Sequence, residues 1–245
     1  MIEIKKVSKF FSKNKVINDL SLTINNGEVF GLLGPNGAGK STTLKMIAGI
    51  LKIDEGNILV DNNDISSRPT EAKETIGFVF DNPDMFLGMK GLELLKFISS
   101  IYKTDQSESI KEAMNLANRL NMTDVLNNYI NEYSHGMRQK IFIIASLMHN
   151  PTNWILDEPL VGLDPQSAFL IKNLMREKAK DNKCVLYSTH VLDVAEKICD
   201  RVGIISKGNL LYSGTINDLR NLENKDADLE SLFLELTKWK IFHHL

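Results

Sequence analysis

Residues 29–42, VFGLLGPNGAGKST, decide the fold of this 245-residue chain. The first five are apolar apart from one glycine, which is typical of a parallel strand covered on both faces. Residues 34–41 match the pattern G-x-x-x-x-G-K-[ST], and residues 42–48 are predicted to form a helix that ends at Gly49. Strand, glycine loop and helix in this order predict an α/β fold in which the loop binds phosphate.

The loop contains the groups that a nucleotide and its metal ion require. Its glycines let the backbone curl so that successive N–H groups point at phosphates. Lys40 is expected to reach the β and γ phosphates, and Ser41 to ligate Mg²⁺. A glycine turn that only caps a helix is the alternative, but the pattern arises by chance in about one such chain in a hundred. The expected binding residues are Asn36, Gly37, Ala38, Gly39, Lys40, Ser41 and Thr42.

A second apolar segment, WILDE at residues 154–158, ends in two carboxylates. Ligands of α/β sheets bind at the carboxyl ends of the strands. Asp157 is therefore expected to hold Mg²⁺, directly or through water, and Glu158 to polarise an attacking water. Acids follow apolar residues at many strand ends, so this motif gains its weight from the phosphate loop. Together the two motifs predict hydrolysis of a nucleoside triphosphate.

Composition and charge exclude several other classes of protein. A net charge of −2 and a pI near 6.2 argue against a general nucleic-acid surface. No apolar run approaches the roughly 18 to 20 residues that span a bilayer. The first ten residues, MIEIKKVSKF, lack the apolar region of a secretory signal, and two cysteines cannot form a disulfide framework. We therefore expect a cytoplasmic protein.

The periodicity of the chain predicts three regions. Alternating residues at 2–7 and 20–24 indicate antiparallel strands, while continuous apolar runs at 154–156 and 185–187 indicate further core strands. Between residues 92 and 131 the apolar spacing becomes helical, and a hairpin is expected around Lys207-Gly208-Asn209. We predict an ATP-binding α/β core with an antiparallel β subdomain at 1–83 and 150–220. A helical subdomain is inserted at 84–149, and an amphipathic helical extension follows at 221–245.

The segment YSHGMRQ, residues 133–139, resembles the signature of ATP-binding-cassette (ABC) ATPases and precedes the Asp-Glu strand, as it does in that family. The resemblance covers nearly the whole chain and implies a P-loop NTPase core that hydrolyses ATP. It implies that Phe11 stacks on adenine, although Phe10 beside it is an alternative. Leu163-Asp164 looks like the D-loop, and His190 looks like the switch histidine, which would act in catalysis with Glu158 and Lys40.

The resemblance also implies a head-to-tail dimer, with either an identical or a different ATPase subunit. ATP on the loop of one protomer would be closed over by Ser134 and the Gly136 backbone of the other. A helix that starts at Ser134 would direct its positive dipole at the γ-phosphate. His135 is interpreted as a replacement for a signature glycine, and Asp164 as part of the nucleotide-binding set.

Two departures from the family pattern refine the expectation. Asp81 replaces the usual glutamine that senses Mg²⁺ and the attacking water, and Met137 replaces the usual glutamine or glycine of the signature. These features look like cassettes of exporters for antibiotics, bacteriocins and related peptides. The resemblance therefore implies separate transmembrane permease subunits, no nucleic-acid partner, and a peripheral position on the inner face of the cell membrane.

Other functions stay open at this point, as does the site where the partner binds. A cytosolic ABC ATPase that acts on DNA or ribosomes would need a coiled coil or a second cassette, and a non-hydrolysing nucleotide sensor is disfavoured by Glu158 and His190. Residues 81–89 have no strand or helix period, so we expect this segment to dock the membrane partner through Met85 and Phe86. The alternative is that both side chains pack under the helical subdomain.

Overall fold

The computed structural model describes residues 1–102, 105–223 and 229–239, and it confirms the predicted α/β fold. The strands are β1 (Ile2–Phe11), β2 (Asn14–Ile24), β3 (Val29–Leu33), β4 (Glu55–Val60), β5 (Asn63–Asp64), β6 (Ile76–Val79), β7 (Asn153–Asp157), β8 (Cys184–Thr189), β9 (Arg201–Ser206) and β10 (Asn209–Gly214). The helices are α1 (Lys40–Ile47), α2 (Pro69–Glu74), α3 (Gly91–Ile101), α4 (Gln106–Arg119), α5 (His135–Leu147), α6 (Pro165–Lys180), α7 (Leu192–Ile198), α8 (Ile216–Glu223) and α9 (Leu229–Trp239).

A six-stranded sheet of order β10-β9-β3-β8-β7-β6 forms the centre of the molecule. Strands β3, β6, β7, β8 and β9 run parallel, and β10 pairs antiparallel with β9 through the predicted hairpin. All five residues of β3 are buried, as expected for a strand covered on both faces. The register pairs Leu33 with Thr189 and Asp157 with Ser188. The phosphate loop, Glu158 and His190 therefore follow strand ends that share one edge of the sheet.

The N-terminal strands form a separate antiparallel sheet of order β2-β1-β4-β5, which confirms the predicted opening of the chain. Ile2 pairs with Ile24, and the apolar residues on one face are buried. These residues pack with the α1 side chains and with one face of the central sheet in a common core. The antiparallel sheet thereby holds α1, and with it the phosphate loop, against the central strands.

Helices α3, α4 and α5 and two short 3₁₀ turns (Thr123–Val125 and Ile130–Glu132) occupy the chain between β6 and β7. Leu94 of α3 and Leu116 of α4 share one apolar core with Val29 and Leu156 of the central sheet. Helix α5 is buried over its last seven residues, because it lies between the sheet and the other two helices. The helical region is thus packed directly on the sheet, while its boundaries at 84 and 149 stay a prediction.

The amphipathic helix predicted near the C-terminus is present as α9. Leu232 is fully buried, and Phe233 and Leu236 are half-buried against the same core as the helical region. Residues 224–228 and 240–245 of the predicted extension lie outside the described residues. Within the described ranges, no helix is both long enough and apolar enough to cross a bilayer.

Candidate active site

The phosphate loop adopts at two points a left-handed conformation that favours glycine. Gly37 and Gly39 have left-handed φ values of 77° and 109°. A Cβ on Gly39 would also lie 2.4 Å from Ile17 Cδ1, so the loop is pressed against β2. The Thr43 hydroxyl donates to the Gly39 carbonyl at 2.9 Å, and no side chain caps the N-terminus of α1. The first N–H groups of α1 therefore remain available for an anion.

The Lys40 side chain is held in the cleft, and only 6% of it is exposed. Its Nζ donates to the Gly34 carbonyl at 2.8 Å and to the Pro35 carbonyl at 3.3 Å. The same Nζ lies 3.4 Å from Glu158 Oε1. These oxygens hold the ammonium group at the mouth of the loop, where it can contact phosphate.

Asp157 is completely buried at the end of β7. Its Oδ1 accepts from the Ser41 hydroxyl at 3.0 Å and from the Ser188 hydroxyl at 2.6 Å. Its Oδ2 is buried without a hydrogen-bond partner among the described residues. Burial raises the pKa of Asp157, and the nearby Asp81 carboxylate raises it further, while the two hydroxyls lower it. A bound cation would favour the ionised form of this carboxylate.

Glu158 follows directly and turns sharply away from the strand, with a left-handed φ of 48°. Its N–H donates to the Ser188 hydroxyl at 3.0 Å. Its carboxylate, 15% exposed, lies between Lys40 and His190, whose Nδ1 is 3.1 Å from both carboxylate oxygens. The three residues predicted to act in catalysis therefore converge on one point.

The cleft that these groups surround has a volume of about 300 Å³. It is lined by all seven predicted loop residues together with Asp81, Glu158 and Val16. Asp81 is exposed and lies 3.7 Å from Lys45 Nζ. A larger surface groove of about 750 Å³ lies on the antiparallel sheet, but its Arg201 already pairs with Glu28 at 3.0 Å. That groove contains none of the predicted site residues.

Phe11 does not line the cleft in the structure. It lies at the end of β1, where it is 45% exposed and has Lys9 Nζ 5.5 Å from its ring centroid. The structure adds two residues that the sequence patterns do not single out, Val16 in the cleft wall and Ser188, which bonds the Asp157 carboxylate and the Glu158 N–H. Ser188 directly precedes the Thr-His pair at residues 189–190, which was the available signal.

The signature residues form a second cluster outside this cleft. Ser134 is exposed and caps α5, accepting from the Met137 N–H at 3.3 Å. Asp164 caps α6 and accepts from the Ser167 N–H at 2.9 Å and from its hydroxyl at 2.5 Å, bonds that lower the pKa of Asp164. Gly136 lies beside Gly162 and Leu163. Within one chain, Ser134, Gly136 and Asp164 are not among the residues that line the nucleotide cleft.

Comparison with known proteins finds a matching family model and curated relatives over most of the chain. A family model described as ABC transporter matches residues 17–161. The chain is 36% identical over 219 residues to the linearmycin resistance ATP-binding protein LnrL of Bacillus subtilis, covering 89% of this chain and 70% of that protein. It is 35% identical over 230 residues to the ABC transporter ATP-binding protein NatA of the same species, covering 92% and 93%.

Solved structures of ATP-binding cassettes have the same fold. An ATP-binding subunit of an ABC transporter superposes with a TM-score of 0.92 at 28% identity, covering 97% of this chain and 99% of that one. A dimeric post-hydrolysis cassette, MJ0796 with bound ADP and Pi, superposes with a TM-score of 0.79 at 25% identity, covering 88% and 99%.

Proposed function

Because the chain belongs to the ABC transporter family and is one of its ATP-binding ATPases, we propose that it powers export of a drug, antibiotic or peptide through separate permease subunits. The observation that carries the ATPase mechanism is the position of the Glu158 carboxylate at the phosphate loop, 3.4 Å from Lys40 Nζ and 3.1 Å from His190 Nδ1. Export is supported by the similarity to a protein named for linearmycin resistance. The aspartate at position 81 and the Ser-x-Gly-Met signature support it independently.

The residues around Asp157 fit a magnesium ion. Asp157 accepts from the Ser41 hydroxyl through Oδ1 and has its Oδ2 unpaired among the described residues, and the Asp81 carboxylate is close enough to raise the pKa of Asp157. The described residues hold no cluster of three His, Cys, Asp or Glu side chains that could bind a metal alone. Mg²⁺ commonly takes one or two carboxylates and completes its shell with phosphate oxygens and waters. Bound Mg²⁺ neutralises charge on the phosphates, and Ser41, Asp157 and Asp81 would hold it.

The remaining residues of the cleft bind ATP and direct a water. Lys40 and the backbone of residues 36–42 bind the phosphates, because Lys40 is positively charged and no side chain caps the first N–H groups of α1. Glu158 polarises the attacking water, and His190 holds the Glu158 carboxylate in place through Nδ1. Phe11, exposed at the end of β1, stacks on adenine, and Val16 closes the cleft on that side.

A head-to-tail dimer brings the second cluster to the nucleotide. Ser134 is exposed at the start of a 13-residue helix, and Gly136 follows it by two residues in the first turn. Neither residue lines the cleft of its own chain, so the cleft that they complete belongs to a partner subunit. Asp164 lies in the loop between Glu158 and α6, where it supports this contact. Dimeric cassettes among the structural neighbours support the arrangement.

The segment 81–89 docks the membrane partner, with unequal roles for Met85 and Phe86. Met85, Leu87 and Met89 are half-buried against the main apolar core, which favours the alternative packing for Met85. Phe86 is 42% exposed at a left-handed φ of 54°, with its ring 6.0 Å from that of Phe97. Phe86 therefore remains as the exposed anchor. The partner is a transmembrane permease, which this chain contacts at the cytoplasmic face of the cell membrane. No nucleic acid takes part.

Two measurements test the proposal. The purified chain is assayed for Mg²⁺-dependent ATP hydrolysis without membranes, which separates an ATPase from a nucleotide sensor. The chain is then co-expressed with the permease encoded in a neighbouring reading frame and tested for co-purification and for resistance to candidate antibiotics. Binding to ribosomes or DNA instead of the permease would favour the cytosolic alternative. Failure to hydrolyse ATP would refute the catalytic assignment.

A further inference from the structure

Gln139 is a buried polar residue that the mechanism above does not use. It is the last residue of the signature segment and lies on α5, and only 2% of it is exposed. Neither Oε1 nor Nε2 has a hydrogen-bond partner among the described residues. A buried amide with both ends unpaired is costly, and such groups are rare in folded proteins. A residue of this kind calls for a role in another state of the molecule.

The position of Gln139 on the helix shows what it faces. His135 and Gly136 precede it by four and three residues and therefore lie on the same face of α5. A Cβ on Gly162 would lie 2.5 Å from the His135 ring. A Cβ on Gly136 would lie 3.5 Å from the Gly162 carbonyl oxygen. The first turn of this face consequently packs against the connecting loop, residues 159–164, which joins Glu158 to α6, and Gln139 follows one turn later on the same face.

The connecting loop is weakly bonded to itself. The Val161 N–H reaches the Glu158 carbonyl at 3.3 Å, and the Leu163 N–H reaches the Leu160 carbonyl at 3.5 Å. Both distances are beyond the usual range for an N–H···O hydrogen bond. The Val161 side chain is 50% exposed, and Gly162 is left-handed. A small shift of this loop would let its backbone groups pair with an amide on α5.

We propose that Gln139 is a positioning residue whose side-chain amide bonds the backbone of the connecting loop when the ATP-bound dimer closes. The bond links the helix that carries Ser134 to the loop that begins at Glu158. The signature helix thereby helps to fix the carboxylate that polarises water. This inference rests on the proposed function, since it requires ATP hydrolysis in a closed dimer.

The test replaces Gln139 with methionine, which has a similar volume and no hydrogen-bonding amide. We expect kcat for ATP to fall about threefold to tenfold, the effect of one hydrogen bond made only in the closed state. The affinity for ADP, measured by calorimetry, should not change. The Tm should stay level or rise by about 2–4 °C, because a costly buried amide is removed. Activity is thus expected to fall without any loss of stability.

Ser99→Ala is the matched control. Ser99 is also 2% exposed with an unpaired hydroxyl, but it lies on α3, away from the connecting loop. This variant should keep the wild-type kcat. An unchanged kcat in Gln139→Met overturns the proposal, and so does a Tm that falls together with activity, because the amide would then be a structural bond. Absence of ATPase activity in the wild type would instead refute the proposed function itself.

Discussion

Glu158 is the residue on which the catalytic interpretation depends most directly. Replacement by glutamine keeps the shape of the side chain but removes the charge that polarises water, and it leaves the phosphate loop intact. We expect turnover to fall by about 10²–10⁴-fold, the usual contribution of a general base. ATP affinity should be retained in equilibrium binding. Wild-type turnover in purified Glu158→Gln would remove this residue from the mechanism.

Lys40 is expected to act on binding itself. Lys40→Ala deletes the ammonium that faces the β and γ phosphates, and a hydrogen bond to a charged group contributes about 1.5–3 kcal/mol. We therefore expect the Kd for ATP to rise by roughly tenfold to a hundredfold in calorimetry. Lys52→Ala, at an exposed lysine after α1, serves as the control. Equal affinities in the two variants would contradict the assignment of the loop.

His149 makes stability depend on pH. Its Nε2 bonds the Ile76 carbonyl at 3.2 Å, Nδ1 is unpaired among the described residues, and burial lowers its pKa from 6.5 to about 4. Between pH 6.5 and pH 4 the His149 imidazole is therefore neutral in the folded chain and protonated in the unfolded chain. Above pH 6.5 His149 does not lower the free energy of unfolding. As the pH drops from 6.5 toward 4, this free energy decreases by up to about 3 kcal/mol.

The measurement is the Tm between pH 7 and pH 4.5 in the wild type and in His149→Gln, whose slope should be flatter. The carboxylates Glu108 and Glu112 line a surface pocket together with His149, and they would oppose the effect by stabilising a charged imidazole. The raised pKa of Asp157 acts in the opposite direction, because protonation of this buried carboxyl stabilises the folded chain as the pH falls, but Asp157 is present in both proteins and its effect cancels in the comparison. Identical slopes would exclude His149 as the source.

At the scale of elements, the segment 81–89 divides into a buried and an exposed side. Met85→Ala should destabilise the isolated chain by about 1–2 kcal/mol, because its side chain packs on the core. Phe86→Ala should change stability by less than about 0.5 kcal/mol and abolish co-purification with the permease. Tyr129→Ala, another exposed aromatic, is the control. A Phe86→Ala protein that still co-purifies would end the docking hypothesis.

The elements that sequence predicted best are those specified by local pattern. Strand β3, the phosphate loop and β7 follow from an apolar run and a spaced motif, and α4 from its 3.6-residue period. The burial of Met85 depends on the helices that close over it, which no local period reports. Ser188 appears as an ordinary strand residue until β8 is placed beside Asp157. The pairing of strands that are distant in sequence therefore places Ser188 beside Asp157, and no local pattern predicts that position.

At the scale of the whole molecule, two clusters that one chain keeps apart should meet across a dimer. With ATP and Mg²⁺, the Glu158→Gln protein should show twice the monomer mass in size-exclusion chromatography with light scattering if the dimer consists of two identical chains. Ser134→Asp keeps the helix cap but sets a negative charge against the phosphates, so it should block this dimer. Ser134→Asn keeps the cap without the charge and should dimerise. Dimers in both variants would place Ser134 outside the interface.

The order of strands in the central sheet has a consequence for synthesis of the chain. Strand β3 precedes the phosphate loop, yet its two neighbours are β8 and β9, which are made more than 150 residues later. While the ribosome is still translating the helical region, this apolar strand has neither partner. Folding of the nucleotide cleft must therefore wait until residue 206 has left the exit tunnel. Nascent chains stalled before that point should expose Val29–Leu33 to chaperones, and those stalled well after it should bind ATP.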